Sequence, residues 1–192
     1  MKFEFKAVKD IIDDSFYFDD VKYGLYCWRL SDKSKFNDFE NDNNNRILYT
    51  GKADNYIADR FYNNHLSNYA NFSTFRRSIG SVLKKELSLE AIPRLRKDGS
   101  ISSYTNFSFS KNGEFKIDQW IIDNLEYGFI ELNNNLNIEH KEFMVSEEEK
   151  VKEITKPCLN CSNGDNRFNI YFSKIRDLRK ICADEARKYK IN

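Results

Sequence analysis

The sequence predicts an α+β protein with a small, three-stranded, mainly antiparallel sheet flanked by helices. Two short runs rich in β-forming and aromatic residues, 21–30 and 46–49, indicate the first two strands. Several later segments instead carry apolar residues at helical spacing. A third apolar run, 129–132, follows a predicted helix that Gly128 ends, and it supplies the third strand.

The first two strands form a hairpin whose Asn-rich connection covers residues 31–45, with Gly51 ending the second strand. Asp54 or Asn55 caps the helix that follows, and Ser73 caps the next one. The predicted helices are 54–66, 73–87, 118–127, 144–156 and 173–188. Between them, residues 104–109 alternate like a short strand.

This order of elements divides the chain into three parts. Residues 1–20 are predicted to be a leader packed on the domain, and residues 21–160 the domain itself. The domain contains an inserted helical and loop segment at about residues 67–116. Residues 161–192 form a basic tail with a C-terminal helix.

The composition is that of a folded protein outside the membrane. Of 192 residues, 40% are hydrophobic and 15% aromatic, which excludes a disordered chain. No apolar run approaches the roughly 20 residues that span a bilayer, and the N-terminus lacks a signal peptide, so we expect a cytoplasmic location and no membrane partner. Four cysteines make no disulfide framework. Cys158 and Cys161 form a CxxC that we interpret as incidental, with metal binding as the alternative.

Charge is unevenly distributed although the net charge is only +1. Residues 51–116 carry 11 Lys/Arg against 6 Asp/Glu, and residues 158–192 carry 8 against 4. Residues 117–157 reverse this balance, with 4 against 10. The two basic blocks suit a phosphate backbone, although two solvated faces explain the charges as well. The second helix is predicted to turn four cations outward: Arg76, Arg77, Lys84 and Lys85.

Two short motifs lie at the ends of the first two strands, Gly24-Leu25-Tyr26 and Tyr49-Thr50-Gly51. Their tyrosines can approach each other on one face of the hairpin, although a strand tyrosine is also an ordinary packing residue. Arg60 follows on the next helix, where a guanidinium can bind two phosphate oxygens or pair with Asp59.

An acidic helix at residues 144–156 supplies a candidate metal-binding carboxylate. Glu148 lies on one stripe with Val145, Val151 and Ile154, so we expect its side chain to face the core, with Glu147 and Glu149 toward solvent. A lone acid on an apolar stripe is unfavourable unless it is paired or binds a metal. A shift of this role to either neighbouring glutamate is the alternative.

Together these motifs resemble the GIY-YIG nuclease family. The family places a glutamate nine residues before the proline of a Pro-x-x-Asn ending, which here is Pro157 to Asn160. The resemblance implies a phosphodiesterase that cuts duplex or branched DNA with one Mg²⁺ or Mn²⁺. It assigns water positioning or activation to Tyr26, phosphoryl charge to Arg60 and the metal to Glu148.

The resemblance also implies supporting roles. Tyr49, Lys52 and His65 become contacts to phosphate or water, with Lys52 or the metal favouring a Tyr26 phenolate; for His65 a helix-end cap is the alternative. Gly24, Gly51 and Asn160 support the site, and for Asn160 ordinary turn chemistry is the alternative. The cations of the second helix become a duplex-backbone surface.

The modest net charge and an altered second motif keep rival functions open, and the chain also departs from the family in its motif spacing. The motifs are separated by the 22 residues 27–48, about twice the usual spacing, and Thr50 replaces an isoleucine. One rival is a catalytically inactive nucleic-acid-binding module with the same fold. The other is a protein-interaction domain that uses its aromatic surfaces. The sequence determines neither the oligomeric state nor the biological role.

Overall fold

The computed structural model describes residues 2–14, 16–18, 21–32, 34, 36, 46–66, 72–132 and 140–189. They form antiparallel strands with flanking helices, which confirms the predicted α+β class. The strands are β1 (Glu4–Ala7), β2 (Gly24–Leu30), β3 (Ile47–Ala53), β4 (Ala91–Leu95), β5 (Ile101–Phe109) and β6 (Leu125–Glu131). The helices are α1 (Val8–Ile12), α2 (Thr74–Leu83), α3 (Lys111–Asn124), α4 (His140–Thr155) and α5 (Phe172–Ala186). A π-helical segment (Asp59–His65) precedes α2, and a 3₁₀ turn (Asp165–Arg167) precedes α5.

The chain forms two compact units, and each unit is discontinuous in sequence. The first contains Met1–Asn63 and Trp120–Cys158, and the second contains Asn64–Gln119 and Leu159–Asn192. The segment predicted as a leader therefore belongs to the first unit. The predicted insertion and the predicted tail fall in the second unit. Across the described part of the chain, no helix is both long enough and apolar enough to cross a bilayer.

The sheet of the first unit has four strands, in the order β1-β6-β2-β3, rather than the predicted three. All neighbouring pairs are antiparallel, and β2 and β3 form the predicted hairpin, most of whose connection lies outside the described residues. The additional strand is β1, which pairs Glu4 with Phe129 of β6. The alternating rings of Phe3 and Phe5 carried the period-two signal for it.

Each face of this sheet packs against different elements. Leu25 and Cys27 of β2 form one core cluster with Met144 and Val151 of α4. The alternate residues of β2 point to the other face and join an aromatic core there. In this core Trp28 stacks on Phe61 with ring centroids 5.5 Å apart. The β2 strand is thus buried on both sides, which fixes the direction of its side chains.

The second unit combines a β4–β5 hairpin with α2 and α5. Ser73 caps α2 as predicted, because its Oγ accepts a hydrogen bond of 3.1 Å from the Arg76 backbone N–H. The sequence predicted one short strand at residues 104–109, whereas the structure has two strands between residues 91 and 109, β4 and a longer β5. The apolar side chains buried in the second unit include Phe75, Ile79, Phe107, Phe109 and Ile175.

Two buried thiols should make the fold sensitive to alkali. Burial raises the pKa of Cys27 and of Cys158 from 9.0 to about 12. Above pH 9 the unfolded chain therefore loses these protons before the folded chain does, and stability falls as the pH rises from 9 to 12. We expect each thiol to contribute at most about 1.4 kcal/mol per pH unit to this fall. Urea unfolding between pH 7.5 and 10.5 measures it, and a slope that is unchanged in Cys27→Ala would contradict the prediction.

Candidate active site

The two motif tyrosines lie on one face of the β2–β3 hairpin. Tyr26 is paired across the strands with Gly51, and Trp28 with Tyr49. Because side chains two residues apart on a strand share a face, Tyr26 and Tyr49 come together. Their rings are stacked at 27° with centroids 6.4 Å apart. The approach expected from the sequence is therefore present in the fold.

Gly51 provides the space for the Tyr26 ring. A Cβ at this position would lie 2.5 Å from Cζ of Tyr26, a separation that real Cβ atoms do not show. Gly24 is constrained in another way, because its Cβ would lie 2.9 Å from Cδ1 of Ile57 and against the Ile130 carbonyl oxygen. Both motif glycines thus permit close approach, one of a side chain and one of a neighbouring strand.

The Gly51 contact gives a testable coupling. We expect Gly51→Ala to lower the free energy of unfolding by about 1–3 kcal/mol, because the added methyl group must displace the Tyr26 ring. The same substitution should cost much less in a Tyr26→Ala background, where the ring is absent. Urea unfolding of the four proteins of this double-mutant cycle measures the coupling. Equal costs in both backgrounds would show that the ring does not set the glycine requirement.

Tyr26 is buried, with 3% of its surface exposed, and a third tyrosine covers it. Tyr127 of β6 stacks on Tyr26 at 23° with centroids 5.7 Å apart. Burial raises the pKa of the Tyr26 phenol well above 10, and the neighbouring Tyr49 raises it further. Two ionised groups also act on it, since Arg60 lowers this pKa and Glu148 raises it. The phenol therefore stays protonated at neutral pH, near one guanidinium and one carboxylate.

Arg60 lies in the π-helical segment that follows β3. Backbone of this kind is rare and is frequently found at functional sites. The side chain is partly exposed, and its charge lowers the pKa of both Tyr26 and Tyr127. Asp59, the partner considered from the sequence, accepts a hydrogen bond of 2.9 Å from Asn63. Arg60 is thus a partly exposed cation whose charge acts on Tyr26 and Tyr127.

Glu148 lies on α4, but the predicted face of this helix is wrong. Val145 and Ile154 are 39% and 79% exposed, whereas Met144, Glu147 and Val151 are buried. The buried stripe therefore runs one position earlier than predicted, because Met144 rather than Val145 enters the core cluster. Glu148 lies beside this stripe, partly exposed.

Two ion pairs distinguish the neighbouring glutamates. Oε1 of Glu148 is 2.8 Å from Nζ of Lys152, one helical turn later, and both side chains are largely covered. Glu147 is paired with Lys150, and its predicted solvent orientation is wrong because its side chain is only 9% exposed. Of these two glutamates, Glu148 is the one whose charge raises the pKa of Tyr26. It combines partial exposure with proximity to the tyrosine site.

Lys52 lies next to the motif glycine but is paired elsewhere. Its Nζ is 2.5 Å from both carboxylate oxygens of Asp54. The alternation of β3 directs Lys52 to the face opposite Gly51, and the neighbouring Thr50 on that face contacts Thr155 of α4 at 3.3 Å. The nearby cation that acts on Tyr26 is Arg60 rather than Lys52.

His65 and Asn160 belong to the second unit. His65 is 3% exposed; its Nδ1 lies 2.9 Å from the Ser73 hydroxyl, and its ring meets Phe75 edge-on. Asn160 is buried as well, and its backbone carbonyl accepts a hydrogen bond of 2.7 Å from the Asn169 side chain. His65 thus contacts the N-cap residue of α2, and Asn160 takes part in the turn after α4.

The predicted duplex-facing surface of α2 is wrong for its two arginines. Arg76 is fully buried and forms ion pairs with Glu114 and Asp118. Arg77 is 7% exposed, and its guanidinium donates to the Thr74 hydroxyl at 3.2 Å. Lys84 is paired with Glu185 at 2.6 Å, while Lys85 is exposed. Helical periodicity treats every arginine as polar and so cannot foresee carboxylate partners about 40 positions away.

The side chains that could bind a metal ion suit Mg²⁺ better than zinc. All four cysteines are free thiols, and within the described residues no three His, Cys, Asp or Glu side chains cluster as a metal site. Zinc would need such a cluster. Mg²⁺ is instead commonly held by one or two carboxylates, with water and substrate phosphate completing its shell. The partly exposed carboxylate of Glu148 fits this second kind of site.

Two members of the site were missed at the sequence level. Tyr127, the ring that covers Tyr26, fell within a predicted helix, although Leu125, Tyr127 and Phe129 alternate as in a strand. Lys152, the partner of Glu148, was recognisable from the four-residue Glu-to-Lys spacing that favours helical ion pairs.

Two tyrosines on adjacent strands, a guanidinium and a helical carboxylate are the residues in which the sequence resembles the GIY-YIG family. The family described as GIY-YIG catalytic domain matches residues 24–181 of the chain. The protein therefore belongs to this family of nucleases, which in general act on nucleic acids and depend on divalent metals. No curated protein and no solved structure matches the chain. The cytoplasmic location stays a prediction.

Proposed function

We propose that the protein is a divalent-metal-dependent endonuclease that hydrolyses phosphodiester bonds in DNA, with Tyr26, Arg60 and Glu148 at its centre. One observation carries this proposal. Two charged residues from distant stretches of the chain act on one buried phenol, since Arg60 lowers the pKa of Tyr26 and Glu148 raises it. A guanidinium can offset charge on phosphoryl oxygens, a carboxylate can hold a metal ion and a hydroxyl can orient water, and phosphodiester hydrolysis uses all three functions.

The protonation of Tyr26 and the positive charge of Arg60 determine the roles proposed for them. Tyr26 is protonated at neutral pH, so its oxygen accepts a hydrogen bond from the attacking water and orients it rather than removing its proton. Arg60 binds two phosphoryl oxygens and offsets the charge that grows on them. Hydrolysis adds the hydroxyl of water to phosphorus, breaks one phosphorus–oxygen bond and leaves a proton for the departing sugar oxygen.

Glu148 would hold Mg²⁺ or Mn²⁺. The bound ion would supply charge neutralisation at the phosphoryl group and would acidify water. Tyr49 supports the site by stacking on Tyr26. We retain Lys52 as a secondary contact to the substrate, to be tested only after the three central residues. The buried His65 is not retained as a substrate contact.

A second function is favoured by one observation. The Lys152 ammonium at 2.8 Å from Glu148 competes with a cation for that carboxylate. If Lys152 keeps this position when substrate binds, the domain is an inactive nucleic-acid-binding module. A lysine on a helix has a flexible stem, so a divalent ion of higher charge density can displace it.

Plasmid nicking separates the two functions. We expect conversion of supercoiled plasmid to the open-circular form with Mg²⁺ or Mn²⁺ and none after chelation with EDTA. Intact plasmid at every metal concentration, together with salt-sensitive DNA binding, would establish the inactive module instead. Absence of any salt-dependent DNA binding would exclude both functions and favour a protein-interaction domain.

A further inference from the structure

A basic groove of about 650 Å³ lies on the second unit, and none of the residues proposed for catalysis lines it. One wall is α5, and the other walls come from β5 and from the turn that follows Cys161. Its charged lining consists of four cations and one acid: Arg176, Arg179, Lys180, Arg187 and Asp177. A concave surface with this balance of charge favours an anionic ligand.

The four cations form one stripe along α5 and just beyond its end. Their spacings of three, four and eleven residues from Arg176 keep them near one face of the helix. The stripe is about 16 Å long at a rise of 1.5 Å per residue. Duplex DNA carries one phosphate per strand for roughly every 3.4 Å of its axis, so this length faces about five phosphates of one strand.

Contacts inside the groove orient these cations without neutralising them all. Lys180 lies 2.6 Å from Asp184, which also pairs with Arg187. Arg179 donates to the Cys161 carbonyl at 3.3 Å, and the Arg176 guanidinium lies 5.7 Å from the Phe172 ring centroid. The four cations outnumber the two nearby acids, Asp177 and Asp184, so the net charge of this group of side chains is positive.

The uncharged lining is suited to the same kind of ligand. Hydroxyl and amide side chains that can donate to phosphate or sugar oxygens line the groove: Thr105, Asn106, Asn163 and Ser173. Phe172 adds an aromatic ring. An acidic peptide would satisfy the charges but would not require this density of neutral donors beside a continuous cationic stripe.

We infer that this groove binds the phosphate backbone of the nucleic acid that the protein acts on, in place of the surface predicted on α2. The inference rests on the proposed nuclease function for the identity of its ligand. Of the four cations expected to contact DNA, Arg76 and Arg77 are buried, Lys84 is paired with Glu185, and Lys85 is exposed. Three cations of the groove, Arg176, Lys180 and Arg187, are exposed. The groove supplies affinity without sequence information, as contacts to phosphates do.

Binding should be measured with a protein that cannot cut, the Glu148→Gln variant, and a labelled DNA duplex. In that background we expect Arg176→Ala/Lys180→Ala to weaken binding at least roughly tenfold near 0.1 M salt. The slope of log affinity against log salt should also fall by about two. The matched control is Lys97→Ala/Lys111→Ala, which removes two exposed cations of the same unit outside the groove lining.

Cys161 provides a second readout, because it lines the groove and is partly exposed while the other three cysteines are buried. Bound duplex should slow its reaction with a thiol reagent, and the slowing should disappear in the double variant. Equal affinity losses in the groove and control pairs, or no loss in either, would overturn the inference. So would polyglutamate that binds as tightly as DNA, since it would identify an acidic polypeptide as the ligand.

The two proposals fail in different ways. If wild-type protein binds DNA through the groove but never nicks plasmid, the nuclease function fails and the groove stands. If wild-type protein nicks plasmid while the groove variants bind and cut normally, the groove proposal is wrong and the nuclease proposal is supported. Circular dichroism of each variant confirms that the fold is retained.

Discussion

Replacing Glu148 with Gln should abolish DNA cleavage, with a loss of at least about 10³-fold in rate. The amide keeps the size of the carboxylate but loses the charge that would hold the divalent ion. Stability should change by about 1 kcal/mol or less, because the main loss is one helical ion pair to Lys152. Plasmid nicking across a Mg²⁺ titration measures the rate, and urea unfolding measures the stability.

Glu149→Gln is the matched control, since it removes the same charge from the adjacent position of α4. It should leave cleavage within a few-fold of the wild-type rate. DNA binding should persist in both variants, which separates loss of chemistry from loss of substrate. Undiminished cutting by Glu148→Gln would remove the metal role from this residue, and a selective loss in Glu149→Gln would move the role to its neighbour.

Arg76→Ala should have the largest effect on stability, lowering the free energy of unfolding by about 3–5 kcal/mol. The guanidinium is fully buried and forms ion pairs with the buried carboxylates of Glu114 and Asp118. It also donates to the His65 carbonyl at 2.8 Å. Its removal leaves two acids without their counter-charge. Lys85→Ala, an exposed cation shortly after α2, should change stability by less than about 0.5 kcal/mol.

The pH dependence identifies the cause of this loss. Burial raises the pKa of Asp118 above its usual value, and Arg76 opposes that shift. Without Arg76 the folded-state pKa of Asp118 should rise further above the unfolded value, so protonation at low pH stabilises the variant relative to neutral pH. The deficit of Arg76→Ala against wild type should therefore shrink as the pH falls from 7 toward 4.5. A deficit independent of pH would indicate lost packing instead.

Local signals in the sequence predicted the first-unit hairpin, the Ser73 cap, α4 and α5, because each depends on residues close together in the chain. The close approach of Tyr26 and Tyr49 also followed from strand alternation. The environment of Arg76 was not predictable in this way, since its partners are remote and only tertiary folding brings them near. Likewise, the buried face of α4 was predicted one position too late, because Met144 and Val145 are both apolar and only tertiary packing buries Met144 rather than Val145.

The interleaved order of the two units has a consequence for biosynthesis. Because each unit takes segments from two separated stretches, neither can be completed while only the N-terminal half has left the ribosome. The sheet that bears both tyrosines lacks β6 and α4 until the chain has emerged as far as Cys158. The nascent protein thus cannot assemble a cutting centre early in translation, and no simple truncation yields either half as an independent piece.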